Sequence, residues 1–234
     1  MLNAALHKNL LLQILKDLYS DQTIGPFLVF KGGTAAYLFY GLDRFSVDLD
    51  FDLLDETQAE AIFDKIEKIC QKYGMVKEAR KKRFGFLFVV AYDQKIKNAK
   101  NIKIEINLQN FGSKYEVKSF MGISMLVMIK EDMFANKLVA MSERLGKTNR
   151  DIYDVYFFSK NLWPVNREIV TKRSGLPYKK FLRQTADNLE KINDKKILDG
   201  LGELVSEKQK AWIRAKLKDE VLFALKLLIE YDEN

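Results

Sequence analysis

Apolar and polar positions change period several times along this chain. Leu6, Leu10, Ile14 and Leu18 recur every four residues, with Lys8, Lys16 and Asp17 turned away, which predicts a helix over about Asn3 to Tyr19. After Gly25-Pro26 the run Phe27 to Phe30 fits a short buried strand. Gly32-Gly33-Thr34 ends it, and Ala35 to Tyr40 reads as a short helix stopped by Gly41. Strict alternation at Val47 to Asp52 predicts a second strand. Asp55 with Gln58 three residues on is a capping-box variant, opening a helix that carries Ile62, Ile66 and Ile69 to Gly74. Strands are expected at Met75 to Ala79, Phe84 to Tyr92 and Ile102 to Leu108. In the last, Ile102, Ile104, Ile106 and Leu108 share one face, and Lys103, Glu105 and Asn107 the other.

Beyond Gly122 the period is helical: about Lys130 to Leu145, Arg150 to Lys160, Tyr178 to Lys191, Lys195 to Val205, and Glu207 to Tyr231, the last capped by Ser206 with Gln209. Strands first and helices after predict an α+β domain over residues 1–122 and a helical domain over 123–234, with no internal repeat.

Composition narrows the chemistry. A 47% hydrophobic content over 234 residues fills a core, and a net charge of +7 favours an anionic partner only weakly. One cysteine, Cys70, and one histidine, His7, exclude a disulfide framework and a Cys/His zinc cluster within one chain. Carboxylates, Lys, Ser or Thr are left to carry any reaction. Cys70 reads as a core filler and His7 as structural or exposed. Met1-Leu2-Asn3 begins no signal sequence, and no apolar run reaches the ~18 residues of a membrane span. The expectation is a reduced, cytoplasmic protein without membrane contact.

Asp48, Asp50 and Asp52 alternate on a strand and so share a face. Carboxylates about 7 Å apart repel, and a divalent metal would relieve them; a solvated edge strand is the plainer reading. An EF-hand fails in register, because its sixth position would be Leu53 and its twelfth Ala59. Lys31-Gly32-Gly33-Thr34, between strand and helix, suits close approach of backbone N–H groups to an anion, or simply a tight turn. It matches neither a P-loop nor a dinucleotide fingerprint. Together, a phosphate cradle and, fourteen residues after Thr34, metal-binding carboxylates are what nucleotidyl transfer requires.

That combination, Lys31-Gly-Gly-Thr-Ala with Arg44-Phe-Ser-Val-Asp48-Leu-Asp50-Phe, resembles the signature of DNA polymerase β-type nucleotidyltransferases, and in detail the AbiEii/AbiGii toxin family. A second block, Glu131 to Lys137, Arg144 and Arg150-Asp151-Ile-Tyr-Asp154-Val-Tyr156, resembles that family's helix Lys and its Arg-Asp-x-x-Asp-Leu-like run. The resemblance spans about Phe27 to Phe158. It implies a nucleotidyltransferase-type mixed sheet flanked by helices, followed by a helical bundle contributing Lys137 and Asp151 to the site. It further implies Asp48 and Asp50 as catalytic metal ligands for Mg²⁺ or Mn²⁺, and Lys31, Gly32, Gly33, Thr34, Arg44 and Ser46 around a nucleoside triphosphate. The acceptor would be a hydroxyl, on tRNA or another RNA, and the partner a cognate antitoxin. A non-catalytic nucleotide- or protein-binding member of such a pair is the alternative.

Other residues keep two readings. Glu105 is either a third metal carboxylate or a cross-strand salt-bridge partner of its neighbours. Lys137 is a surface lysine or a triphosphate donor. Asp151 is a base, a metal partner or a first-turn acid meeting the helix dipole; Asp154 shares its face. Arg80 to Arg83 and Lys172, Arg173, Lys179, Lys180 and Arg183 track a nucleic-acid backbone or line solvated surfaces. The aromatic residues Tyr37, Phe39, Tyr40, Tyr153, Tyr156, Phe157 and Phe158 read as packing residues.

Overall fold

The computed structural model describes residues 3–92 and 101–231. Met1 and Leu2, part of the expectation about targeting, lie outside the described residues. By internal contacts the chain divides into two units. One runs through Asn110 and adds Lys114–Met128; the other comprises Phe111–Ser113 and Ile129–Asn234.

The first unit is α+β, as the hydrophobic pattern indicates. Helix α1 (Ala4–Ser20) starts where the Asn3 side chain accepts the Leu6 N–H at 3.1 Å. Its buried stripe is His7, Leu11, Ile14, Leu15 and Leu18, while Leu6 is 40% exposed. The stripe is therefore rotated from the one expected, because His7 occupies the inward position of the first turn. Strand β1 (Leu28–Lys31) leads directly into α2 (Gly32–Phe39), which begins three residues before the expected start. Gly32, at φ +76°, makes that abrupt entry possible. Strand β2 (Asp48–Leu53) is followed by a 3₁₀ turn (Glu56–Gln58), capped by Asp55, and by α3 (Ala59–Gln71).

Strands β3 (Met75–Lys82), β4 (Gly85–Ala91), β5 (Asn101–Asn107), β6 (Tyr115–Phe120) and β7 (Ile123–Met128) complete the sheet. Among the described residues it has seven strands in the order β3-β4-β5-β2-β1-β7-β6. The β1–β7 and β2–β5 pairs are parallel and the others antiparallel. Gly122, where the composition shifts, sits in the β6–β7 hairpin, so the sheet continues to Met128. Both central turn residues, Met121 and Gly122, have positive φ. That is the geometry a right-twisted two-residue hairpin needs, supplied here without the Asn-Gly that would announce it.

Alternation sorts the sheet into two faces. Phe30, Phe51, Ile104, Ile106 and Phe88 are buried on one face, where Phe63 of α3 packs on Phe86 and Phe88 and Tyr19 of α1 meets Phe51. Each such large side chain, fully buried, stabilises by about 1.5–3 kcal/mol. The opposite face carries Lys31, Asp48, Asp50, Asp52, Lys103, Glu105 and Asn107, as the pairings Lys31↔Asp50↔Glu105 and Asp48↔Lys103 require.

The second unit is helical. It contains α4 (Lys130–Arg144), α5 (Arg150–Lys160), α6 (Arg167–Ser174), α7 (Tyr178–Glu190), α8 (Glu207–Trp212) and α9 (Lys218–Glu230). A π-helical stretch at Ile213–Leu217 joins the last two, so the single helix expected from Glu207 is interrupted but not broken. Ser206 and Gln209 form the expected capping box. The helix expected at Lys195 to Val205 is instead a 3₁₀ turn (Asp194–Lys196) followed by turns. Gly200, at φ +73°, lies too close to the Thr148 side chain to carry a Cβ, and no helix continues through it. Among the described residues no helix is long and apolar enough to cross a membrane.

Cys70 is fully buried on α3, and burial pushes its thiol up to about 12. Thiolate, the reactive form, is therefore scarce at pH 8. Iodoacetamide at pH 8 is expected to leave the native protein unlabelled and to modify Cys70 only once urea has carried it past its unfolding midpoint. Fast labelling of the native chain would contradict this packing.

Candidate active site

The carboxylate face of the first unit is built around the β1–α2 junction. Gly32 opens α2 against β2, where a Cβ would stand 2.2 Å from Asp50 Oδ2 and 3.0 Å from Asp50 Cβ. At Gly33 a Cβ would meet Ser46 Oγ at 2.8 Å and Arg44 NH2 at 2.9 Å. Glycine at both positions lets a carboxylate, a hydroxyl and a guanidinium close on the first turn of one helix. The N–H groups of that turn have no partner within the helix itself and lie at the positive end of its dipole, and Lys31 at the N-cap makes no side-chain capping bond.

The 41–47 loop delivers Arg44 and Ser46. Both are buried, at 2% and 6% exposure, and Arg44 NH1 donates to the Phe45 carbonyl at 2.9 Å. Thr34 is buried too: it donates to the Asp48 carbonyl and lies 2.9 Å from Ser46 Oγ. Its hydroxyl thus braces the start of β2. Seen from the sequence, Thr34 looks like a phosphate contact; the structure gives its side chain an internal role.

The three aspartates separate into two and one. Asp52 is buried, ion-paired with Lys31 and hydrogen-bonded by Asn107 Nδ2 at 2.7 Å. Lys31 and Asn107 therefore supply the counter-charge and donor that a third acid on the strand needs. Asp48 and Asp50 are half-buried on the same face. Glu105 is in register with Asp50, but its side chain is half exposed with Lys82 Nζ 3.7 Å away. Among the described residues no three acidic, His or Cys side chains are grouped as a metal site. A pair of aspartates nevertheless fits Mg²⁺, which keeps several waters and takes one or two carboxylates plus substrate phosphates.

The second unit holds its own constellation. Lys137 of α4 lies 2.9 Å from Asp151 Oδ1 and 2.9 Å from Asp154 Oδ2 on α5, and Arg144 NH2 lies 2.8 Å from Asp151 Oδ2. Both aspartate side chains are at 0% exposure and Lys137 at 11%, while Arg144 is 40% exposed. The i,i+3 spacing of the two acids makes one lysine their common partner. Arg144 and Asp154, set beside the sequence candidates rather than among them, belong to this network.

The basic stretches are largely matched by acids. Arg80 pairs with Glu78 at 2.9 Å, Lys81 with Glu60, and Lys172 with Glu168 at 2.7 Å. Arg173 donates to the Asn136 carbonyl and Oδ1 at 3.2 and 2.9 Å and stacks over Phe111.

The seven-stranded mixed sheet flanked by helices is a nucleotidyltransferase-like fold. The sequence model for "Nucleotidyl transferase AbiEii toxin, Type IV TA system" matches residues 13–212, and the chain belongs to that family. In fold it is similar to a candidate nucleotidyltransferase from Helicobacter pylori, with TM-score 0.64 and 22% identity over 100% of this chain and 97% of that one. JHP933 from Helicobacter pylori gives TM-score 0.62 at 22% identity, over 100% and 94% of the two chains. MenT4, a nucleotidyltransferase toxin from Mycobacterium tuberculosis H37Rv, gives 0.50 at 17% identity, over 96% and 90%. No curated protein matches the sequence.

Two stability effects follow from these contacts. Gly32→Ala puts a side chain at φ +76° and drives Asp50 from its position; denaturation should show a loss of about 1–2 kcal/mol from the backbone conformation alone. Lys137→Met removes the cation shared by two buried carboxylates, and urea melts should show a loss of about 3–5 kcal/mol. Parental stability in either variant would contradict the contact concerned.

Proposed function

We propose that this protein transfers a nucleotidyl group from a nucleoside triphosphate to a hydroxyl acceptor on tRNA or another RNA, releasing pyrophosphate, and acts as the cytoplasmic toxin of a toxin–antitoxin pair. The observation that carries this reading is the placement of Asp48 and Asp50 on one strand face, with the Asp50 side chain directly against Gly32 in the first turn of α2 and the Asp48 carbonyl bonded by Thr34. Asp48 and Asp50 would hold Mg²⁺ or Mn²⁺, which when bound offsets negative charge on the phosphates and lowers the pKa of a coordinated hydroxyl.

The protein's own groups supply orientation. The first-turn N–H groups at Gly32 and Gly33 form an anion-binding end, and the absence of Cβ atoms lets phosphate oxygens approach the main chain. Buried Arg44 adds a fixed positive charge beside Gly33, and Ser46 and Thr34 hold the start of β2 so that Asp48 and Asp50 do not drift. Lys31, at the same helix end, is tied to Asp52. Lys137, read from the sequence as a triphosphate donor, is held within the second unit by Asp151 and Asp154. Asp151, buried beneath two cations, suits the role of positioning Lys137 and Arg144 better than that of a proton acceptor reaching solvent.

The test is incubation with each labelled nucleoside triphosphate, Mg²⁺ or Mn²⁺, and total RNA. Label entering RNA is the expected outcome; label on protein would redirect the acceptor, and binding without transfer would favour the non-catalytic member of a two-component pair. Asp48→Ala with Asp50→Ala is expected to reduce incorporation to background while leaving the circular dichroism spectrum intact. Full incorporation by that double variant removes the mechanism.

A further inference from the structure

The single histidine has a place that the proposed reaction does not itself call for. His7, on the first turns of α1, is fully buried. Its Nε2 is 2.9 Å from the Val47 carbonyl and its Nδ1 2.9 Å from Tyr92 Oη. A carbonyl only accepts, so Nε2 carries the proton, and a neutral ring accepts from the Tyr92 hydroxyl at Nδ1. Both nitrogens are thereby used, and the ring has one orientation. Its edge also meets Phe45, with centroids 6.0 Å apart, and Phe45 is held on its other side by Tyr37 at 5.9 Å.

Val47 immediately precedes Asp48, and Phe45 lies between Arg44 and Ser46. The loop carrying these residues, from Gly41 to Val47, belongs to no strand or helix. Besides the Leu42 N–H bond to the Ala36 carbonyl at 3.1 Å, side-chain contacts hold it, and His7 makes two of them, one at the carbonyl next to the first carboxylate. A leucine here would fill the space and leave that carbonyl without its donor, at a cost of about 1–3 kcal/mol and a freer loop.

We infer that His7 is a positioning residue for the carboxylate site, clamping the 41–47 loop so that Arg44, Ser46 and Asp48 are presented together. This rests on the function proposed above for Asp48 and Asp50, but the clamp itself is a property of the loop. Groups supporting a metal ligand from behind typically change metal affinity by about 10–100-fold when removed.

The experiment compares the full chain with His7→Leu, His7→Gln and Tyr92→Phe. It reads amide hydrogen exchange over residues 41–48, Mn²⁺ affinity by electron paramagnetic resonance, and nucleotide incorporation. In a folded His7→Leu, exchange over the loop should rise about tenfold or more while α3 and β4 keep parental protection, and Mn²⁺ binding should weaken by about tenfold. His7→Gln, which retains an N–H donor, should recover part of both. If His7→Leu does not fold, Tyr92→Phe carries the same comparison with smaller, severalfold changes in loop exchange. Parental loop exchange in a folded His7→Leu, or in Tyr92→Phe where that variant must serve, overturns the clamp. Faster loop exchange with unchanged Mn²⁺ affinity overturns its role at the site. A parent chain that binds no Mn²⁺ would sink the metal-dependent reading of the site, whereas the exchange measurement would still decide whether His7 holds the loop.

Discussion

The first unit depends on how it accommodates three negative charges on one face of one strand. At a spacing of about 7 Å between successive acids, β2 would be a poor strand if all three stood unrelieved. The sheet resolves this unequally. At Asp52, Lys31 from β1 and Asn107 from β5 close on the carboxylate from neighbouring strands, and the residue is buried. Asp50 is placed against a helix end from which glycine has removed the obstructing Cβ, and Asp48 is fixed through its main chain by Thr34. Asp52 is thus closed in by an ion pair and an amide, while the contacts shown for Asp50 and Asp48 are with the first turn of α2.

Much of this was legible in the sequence, and the reasons are local. Alternation in β5, with Ile102, Ile104 and Ile106 inward and Lys103 and Glu105 outward, is a period-two signal that tertiary packing reinforces. The paired aspartates and the glycines were visible for the same reason: their chemistry and spacing are unusual whatever the fold. Where the pattern misled, a residue behaved against its type. His7 took an apolar position in α1 and rotated the whole stripe. Strands β6 and β7 escaped because Val117 is 70% exposed and the hairpin turn is Met-Gly. Helix α6 was missed because it buries only Ile169 and Val170, although its Asn166 cap and Gly175 stop were there to be read.

Pairwise roles were less legible than residue types. Glu105 and Asn107 occupy equivalent outward positions of one strand, yet Asn107 completes the Asp52 cluster and Glu105 faces Lys82. Register decides this, and register is a property of the sheet. The same holds for α4 and α5. Sequence spacing puts Asp151 and Asp154 on one helix face, but only the packing of two helices brings Lys137 between them at equal distances. A lysine that is 11% exposed cannot be treated as a surface charge. Its desolvation is offset because two carboxylates share it, and those carboxylates are in turn compensated at full burial by Lys137 and Arg144.

Both units therefore use buried polar contacts to place groups that secondary structure alone would leave loosely determined. In the second unit the contacts are ionic and join two helices. In the first they run from side chains to main-chain carbonyls, His7 to Val47 and Thr34 to Asp48, at the entrance to β2. A strand's own ladder fixes its residues only once pairing has begun, and pairing of β2 begins at Asp48, the residue that has to be placed. Support at that boundary must come from outside the ladder, and a donor that reaches the preceding carbonyl is the shortest route to it. At Asp48 the ladder is only starting, and bonds from His7 of α1 to the Val47 carbonyl and from Thr34 of α2 to the Asp48 carbonyl add restraint there.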